Sequence, residues 1–197
     1  TYRQESKILP QALAKDPENL LLSRSPSYRM PAEMIRDGLL AQSHLLHRKV
    51  GGSGAKPYDL KVSFKPINPD GAPNVYRRSL YTFWKRTGPT PVMMALDASK
   101  RDVCTVRRER TDSPAQSLIL LNGTQFVEAA RAFADRLLLS QSTEDSMALV
   151  SDAFRQLTSR PPSKRESVIL LRLLSEQVAH FSDPKEAEKF LKVGHYK

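Results

Sequence analysis

The sequence predicts a mainly α-helical protein: a bundle of about six helices with a long Gly/Pro-rich connection and at most a small strand pair. Two observations support this prediction. Apolar residues recur at helical spacing through most of the second half of the chain. Residues typical of helix N-termini, such as Ser113-Pro114 and Asp183-Pro184, stand directly before these periodic stretches. Short loops between the predicted helices favour antiparallel packing.

The composition is that of a soluble globular protein. Of the 197 residues, 40% are hydrophobic and 26% are charged, which is enough apolar surface for a core. No apolar run reaches the roughly 18 residues that a membrane-spanning helix needs. We expect one domain, 1–197, that is part of a longer protein, because neither an initiator Met nor a signal sequence precedes TYRQES. Its stretches are the N-terminal helices 1–49, the Gly/Pro-rich connection 50–75, the basic and aromatic motif region 76–125 and the C-terminal helices 126–197.

Two helices are predicted in the N-terminal stretch. Asp16-Pro17 has the form of a helix start, with Asp as N-cap and Pro in the first helical position. Pro31 opens a stronger helix, roughly 31–48, in which Met34, Ile35, Leu39, Leu45 and Leu46 return at helical spacing. Gly51-Gly52 ends it.

The middle of the chain is predicted to be largely irregular. Glycines and prolines fill 50–75, where we expect an extended connection with one short strand around 60–64. The pattern of 76–86 fits either a helix or a strand, and we prefer a helix ended by Pro89 and Pro91. Residues 92–111 are predicted to be irregular, with a strand near 103–106.

Helices are predicted from Ser113 onward. Ser113 caps the first, with Gln116 placed to complete a capping box, and Asn122-Gly123 ends it. The next begins near Thr124. Its apolar stripe consists of Phe126, Ala130, Phe133 and Leu137, widened by Val127, Ala134 and Leu138.

Three further helices complete the predicted bundle. Thr143 starts one of them. Ser163 and Glu166 form a capping box for the next. Asp183-Pro184 opens the last, which ends near Gly194.

Positive charge is concentrated between Tyr76 and Arg110. The chain has a net charge of +10, and this segment holds nine Lys or Arg residues against three acidic ones. Arginine pairs bidentately with carboxylate, sulfate or phosphate, and aromatic rings stack on sugars or bases. The segment therefore predicts either buried structural arginine pairs or a groove for an anionic ligand. The candidate ligand-binding residues are Arg77, Arg78, Tyr81, Trp84, Lys85, Arg86, Arg107, Arg108 and Arg110.

Candidates for catalysis and for metal binding are few. Asp97 and Asp102 are weak candidates for a general acid/base pair, which glycoside cleavage requires, and the sequence strongly favours the interpretation that they are ordinary loop carboxylates. His44 and His47 have no evident third ligand, so no metal site is predicted. Cys104 is the only cysteine, which excludes an internal disulfide and a cysteine-based metal cage.

Three long motifs resemble a bacterial domain of unknown function that is abundant in planctomycetes: YRRSLYTFWKRTGPTP, DVCTVRRERTDSPAQSLILLN and QFVEAARAFADRLL. TYRQES, MPAEMIRDGLLAQS and LTSRPPS fit the same pattern, so the resemblance covers nearly the whole chain. Such domains lie near the C-terminus of large exported proteins, often with a planctomycete cytochrome c domain. The resemblance implies a periplasmic or surface-associated protein and implies no reaction. The Cys-x-x-Cys-His motif that binds haem is missing, so no cofactor is expected in this chain.

We therefore expect a non-catalytic module of an exported multidomain protein. Its partner would be an anionic glycan or a neighbouring domain, and nucleic acid is a poor partner for an exported protein. The alternative is an enzyme domain that acts on complex polysaccharide, coupled to an attached cytochrome c domain, with Asp97 and Asp102 as its catalytic candidates.

Overall fold

A computed structural model describes residues 4–26, 28–62, 66–86, 88–140 and 145–197. These residues form mainly α-helices and no sheet, which confirms the predicted fold class. Two isolated parallel bridges, His47 with Arg77 and Ala55 with Thr82, are the only strand-like pairings among them. The α-helices are α1 Pro10–Lys15, α2 Ala32–Gln42, α3 Pro91–Ala95, α4 Pro114–Asn122, α5 Thr124–Ser140, α6 Ser146–Thr158, α7 Lys164–His180 and α8 Pro184–Leu191.

The chain divides into two compact units, Thr1–Met30 and Pro31–Lys197. In the first unit, the prediction that Asp16-Pro17 starts a helix is wrong. Asp16 instead follows the end of α1, and its carboxylate accepts hydrogen bonds from the N–H groups of Leu20 and Leu21 at 2.7 and 2.9 Å. The same preference of Asp for free N–H groups that makes it an N-cap here closes a turn.

The second unit is organised around contacts of α5 with α2 and α4. One core cluster joins Ala32 of α2, Met93 of α3 and Phe126 of α5, together with Leu96 and Ala98. A second cluster consists of Leu40, Val75 and Tyr76, which ties α2 to the irregular middle of the chain.

Several of the elements predicted between Pro31 and α4 are wrong. The helix expected over 31–48 ends at Gln42. The described part of the expected strand 60–64 belongs to the 3-10 helix Tyr58–Val62. Instead of a helix over 76–86, two 3-10 turns occur, Asn74–Tyr76 and Ser79–Tyr81. The strand expected at 103–106 is absent from this described segment, whose backbone bends without pairing.

The predicted helix caps are largely confirmed. Ser113 and Gln116 form the capping box of α4, and Ser163 and Glu166 form that of α7. Asp183 caps α8, although this helix ends at Leu191 and not near Gly194. The predicted start at Thr143 lies outside the described residues, and the carboxylate of Asp145 caps α6.

The buried face of α5 is rotated from the predicted stripe. Phe126, Val127 and Leu137 are buried as expected, whereas Ala130, Ala134 and Leu138 are exposed. The rotation brings Glu128 to the inside, where its side chain is completely buried. A charged side chain in this position needs hydrogen-bond donors around it, and these are described below.

Candidate functional site

The segment with most exposed positive charge is a loop between α3 and α4, residues 100–110, called here the basic loop. It carries five Lys or Arg residues and two acidic ones. Every residue from 101 to 112 is exposed to solvent. The loop forms neither helix nor strand, so its shape depends on side-chain contacts at its ends.

Asp97 joins the two ends of the basic loop. Its carboxylate accepts a hydrogen bond from the Thr111 N–H at 2.7 Å and another from the Thr111 hydroxyl at 2.9 Å. The Gln116 amide donates to the same carboxylate at 3.2 Å, while its oxygen accepts from the Ser113 N–H. This network fixes the start of the loop to the N-terminus of α4.

Arg101 fastens one flank of the basic loop to the segment before α3. Its guanidinium donates to the Ser79 and Thr82 carbonyl oxygens at 3.1 and 3.5 Å. The same group lies 4.8 Å from the centre of the Trp84 ring, a favourable cation–π distance. The Trp84 ring is therefore already in contact with a cation of its own chain.

Arg77 stabilises the protein backbone from a buried position. It is buried, and it donates to the carbonyl oxygens of Ser53 and Lys49 at 2.7 and 3.3 Å and to that of Gly51. Its guanidinium also lies 4.1 Å from the centre of the Tyr81 ring. Of the predicted ligand-binding residues, Arg77 and Tyr81 thus hold the 49–53 turn in place.

The other predicted binding residues lie nearer the surface. Arg78 and Arg86 are exposed, and Lys85 is half-buried. Arg107, Arg108 and Arg110 of the basic loop are exposed and line one shallow depression. Arg108 forms an ion pair with Glu33 of α2 at 2.8 Å, which connects the loop to that helix.

The two candidate catalytic carboxylates have different surroundings. Asp97 makes the network described above and has a left-handed backbone conformation, with a φ of +63°. Asp102 is exposed on the basic loop. Between them, only Asp97 is surrounded by hydrogen-bond donors, and these are used to anchor the loop.

Sequence reasoning missed a buried polar centre at Glu128. One oxygen of its carboxylate, Oε1, accepts hydrogen bonds from the Tyr58 and Tyr76 hydroxyls at 3.1 and 2.7 Å. The same oxygen accepts from the backbone N–H of Tyr196 at 2.8 Å and from that of His195. These bonds attach the C-terminal residues to α5.

The two tyrosines of this centre remain protonated donors. Burial raises the pKa of both phenols, and the adjacent Glu128 carboxylate raises it further because a phenolate would be repelled by it. The predicted apolar stripe of α5 runs through Phe126 and Leu137 and leaves Glu128 on the opposite side of the helix, so the sequence pattern contained no signal for this centre.

Arg36 forms a second buried polar centre. Its Nε donates to the Gln125 side-chain oxygen at 2.7 Å, which connects α2 to the start of α5. Its terminal nitrogens donate to the carbonyl oxygens of Arg77 and Val75 at 2.8 and 2.9 Å. Burial lowers the pKa of Arg36, and the negative charge of Asp37 opposes that shift.

A family model described as PSD1, protein of unknown function (DUF1553), matches residues 1–174. The chain belongs to this family. No curated protein and no solved structure matches it. The match confirms the resemblance to a domain of unknown function, and it includes the basic loop, Arg36 and Glu128.

Two further properties of this PSD1 domain concern metals and membranes. Within the described residues, no three His, Cys, Asp or Glu side chains gather closely enough to hold a metal ion. Cys104 is exposed on the basic loop. Among the helices described, none combines the length and apolar character needed to cross a membrane.

Proposed function

We propose that this PSD1 domain is a non-catalytic module that binds an anionic glycan through the basic loop. The observation that carries the proposal is the exposure of Arg107, Arg108 and Arg110 on a loop whose two ends are fixed. Carboxylate and sulfate groups of a glycan are suitable partners, because guanidinium groups bind them through paired hydrogen bonds.

Because the basic loop is anchored, less conformational entropy is lost when a ligand binds to it. A free loop loses conformational entropy when a ligand orders it, and that loss weakens affinity. Asp97 and Arg101 already hold the basic loop at its base and on one flank. Because the binding groups are exposed charges, affinity is expected to fall as salt concentration rises.

The setting that we propose for the module comes from the resemblance. An exported protein, with an attached planctomycete cytochrome c domain, would expose this surface to polysaccharides of the periplasm or of the cell surface. An acidic face of a neighbouring domain is the other anionic partner with which the same arginines are compatible.

The environment of Asp97 favours binding over the cleavage of polysaccharide. Glycoside hydrolysis by the usual route needs two carboxyl groups on opposite sides of the bond that is cut. Both oxygens of Asp97 instead accept hydrogen bonds from Thr111 at the base of the loop. This role at the base of the loop accounts for the position of Asp97 without catalysis.

The test compares two double variants that lose the same charge. Arg107→Ala/Arg108→Ala removes two cations from the basic loop, and Arg155→Ala/Arg165→Ala removes two exposed ones elsewhere. Binding to sulfated, carboxylated and neutral polysaccharides is measured by calorimetry at two salt concentrations. We expect saturable binding to one anionic class, weakened about tenfold or more in the loop variant and less than about twofold in the control.

Three results would count against the proposal. Equal losses in the two double variants would show attraction to net charge alone. Equal weak binding to every polyanion would show the same. Release of reducing ends from a bound polysaccharide, lost in Asp102→Asn while binding persists, would establish the enzyme in place of the binding module. The surface pair of Arg108 with Glu33 is worth about 0–1 kcal/mol, so the loop variant should remain folded.

A further inference from the structure

A second candidate binding site is a cavity inside the Pro31–Lys197 unit, separate from the basic loop. Its volume is about 240 Å³. For comparison, a cavity of about 150 Å³ lined by apolar residues holds a benzene ring. The cavity is bounded by the 3-10 helix Tyr58–Val62, by α3 and by the junction of α4 and α5. The lining residues used below are Arg36, Tyr58, Asp59, Val92, Leu96 and Phe126.

The junction of α4 and α5 is shaped by a close contact at Gly123. A Cβ atom on this residue would lie 2.7 Å from the Ile119 carbonyl oxygen and 3.0 Å from the Phe126 ring. Only glycine fits there without a shift of the backbone. The close turn lets α5 start immediately after α4, and it places Phe126 in both the core cluster and the cavity wall.

The walls of the cavity are mostly apolar and partly aromatic. Val92 and Leu96 lie at the two ends of α3, while Phe126 and Tyr58 contribute rings. Apolar walls favour an apolar ligand body, and aromatic walls favour a flat ring because offset stacking adds to the burial of area.

The polar groups of the cavity select for a ligand that donates a hydrogen bond. Arg36 is occupied by Gln125 and by the carbonyl oxygens described above, so it has little to offer a ligand. Asp59 is different. One of its oxygens accepts from the Val92 N–H at 2.9 Å, and its carboxylate lines the cavity. The remaining capacity of that carboxylate is for further donors.

Charge near the carboxylate argues for a neutral ligand. Burial raises the pKa of Asp59, and the positive charge of Arg36 opposes the rise. Because Arg36 already supplies the cation near this carboxylate, a ligand cation would be repelled by Arg36 and would have to lose its water inside an apolar wall. A neutral N–H or O–H donor avoids both costs.

We propose that this cavity binds a neutral, ring-sized aromatic molecule that donates a hydrogen bond to Asp59. The site does not depend on the anionic partner of the basic loop. Helix α3 and the two residues after it contribute to both places: Val92 and Leu96 line the cavity, whereas Met94 and Asp97 line a depression beside the loop. The site is defined by a partly open cavity, a mostly apolar wall and the half-buried carboxylate of Asp59 as acceptor.

A matched pair of ligands tests the proposal on the 197-residue chain. Indole donates through its N–H and accepts nothing in the ring plane, while indene has nearly the same shape and lacks that donor. Both are titrated into isotope-labelled protein and followed by NMR chemical shifts. We expect saturable binding of both, with indole about tenfold tighter, because a hydrogen bond to a charged group contributes about that factor.

Three variants locate the site. Asp59→Asn keeps an oxygen for the Val92 N–H and presents an amide donor to the ligand, so the preference for indole should fall to about one. Leu96→Trp fills the cavity and should abolish binding of both ligands. Leu118→Trp adds the same ring on an exposed face of α4 and should change neither.

The proposal is overturned if the wild-type chain binds neither ligand. It is also overturned if indole and indene bind equally, or if a folded Leu96→Trp variant binds as the wild type does. If Leu96→Trp fails to fold, the indole-to-indene ratio in Asp59→Asn still decides the question, because that variant keeps the size and shape of the side chain. A failure here leaves the glycan experiment unaffected, since the latter measures a different surface.

Discussion

Replacing Glu128 by alanine is expected to be among the most destabilising single changes in this chain. The substitution removes the acceptor of four hydrogen bonds from a fully buried position. The buried Tyr76 residue loses the carboxylate that accepts its hydroxyl hydrogen bond, at a cost of about 1–3 kcal/mol. The half-buried Tyr58 hydroxyl can turn to water, so its loss costs less.

The remaining cost comes from the C-terminal segment. The N–H groups of His195 and Tyr196 lose their acceptor, and the C-terminal residues lose these attachments to α5. The empty volume left by the side chain adds to this cost. We expect the free energy of unfolding to fall by about 3–5 kcal/mol, out of roughly 5–15 kcal/mol for a domain of this kind.

Two measurements check this expectation. Urea unfolding gives the loss of free energy, and hydrogen exchange followed by mass spectrometry gives the protection of the His195 and Tyr196 amides. Glu128→Gln retains one acceptor oxygen and should lose only about 1–2 kcal/mol. A loss below about 1 kcal/mol in the alanine variant, with unchanged amide protection, would refute the reasoning.

Gly194→Ala tests the same attachment from the other side. A Cβ atom on Gly194, whose φ is +78°, would overlap the Glu128 carboxylate. The matched control is Gly52→Ala, because Gly52 has a similar φ of +84° and nothing within 4 Å of a Cβ. Each alanine has a backbone cost of about 1–2 kcal/mol, but only the change at Gly194 should expose the His195 and Tyr196 amides to exchange.

Three further predictions concern buried and paired charges. Arg36→Met should lower the free energy of unfolding, measured in urea, by about 3–5 kcal/mol, because it leaves acceptors on two neighbouring segments without their donor. The control Arg78→Met, at an exposed position, should change it by less than about 0.5 kcal/mol. Hydrogen bonds from Arg160 lower the pKa of Glu166. The free energy of unfolding of wild type should therefore exceed that of Glu166→Gln by its full amount above about pH 4.3, and the difference should shrink as the pH falls toward the lowered pKa. Burial raises the pKa of Asp59. This carboxyl should therefore stabilise the fold most below about pH 3.9, and its contribution should be lost as the pH rises through the raised pKa. Asp59→Asn should consequently gain stability relative to wild type between about pH 4 and pH 7.

The helices that the sequence predicted well are those whose signals are local. Ser113, Ser163 and Asp183 cap helices because a short polar side chain meets free N–H groups within three residues of itself. Such a signal needs nothing from the rest of the chain. The middle of the chain was predicted poorly because its conformation depends on distant partners.

The segment around Ser79 shows this dependence. Its N–H and hydroxyl both donate to the Asp37 carboxylate, at 2.8 and 2.7 Å, across 42 positions of sequence. A carbonyl two residues earlier accepts from Arg36. No local pattern of aromatic or apolar residues encodes these partners, so both the helical and the extended interpretation of 76–86 missed the 3-10 turns that form.

The arginines of the motif region show what the sequence could not decide about function. Arg77 and Arg101 contact backbone carbonyl oxygens and aromatic rings, and they hold the fold together. Only a structure separates them from their neighbours in sequence, because the difference lies in which acceptors are within reach. Arg107 has the same chemistry and is exposed on the basic loop. Like charges on an exposed loop repel one another and add little to folding, so we propose that these arginines bind an anion outside the domain.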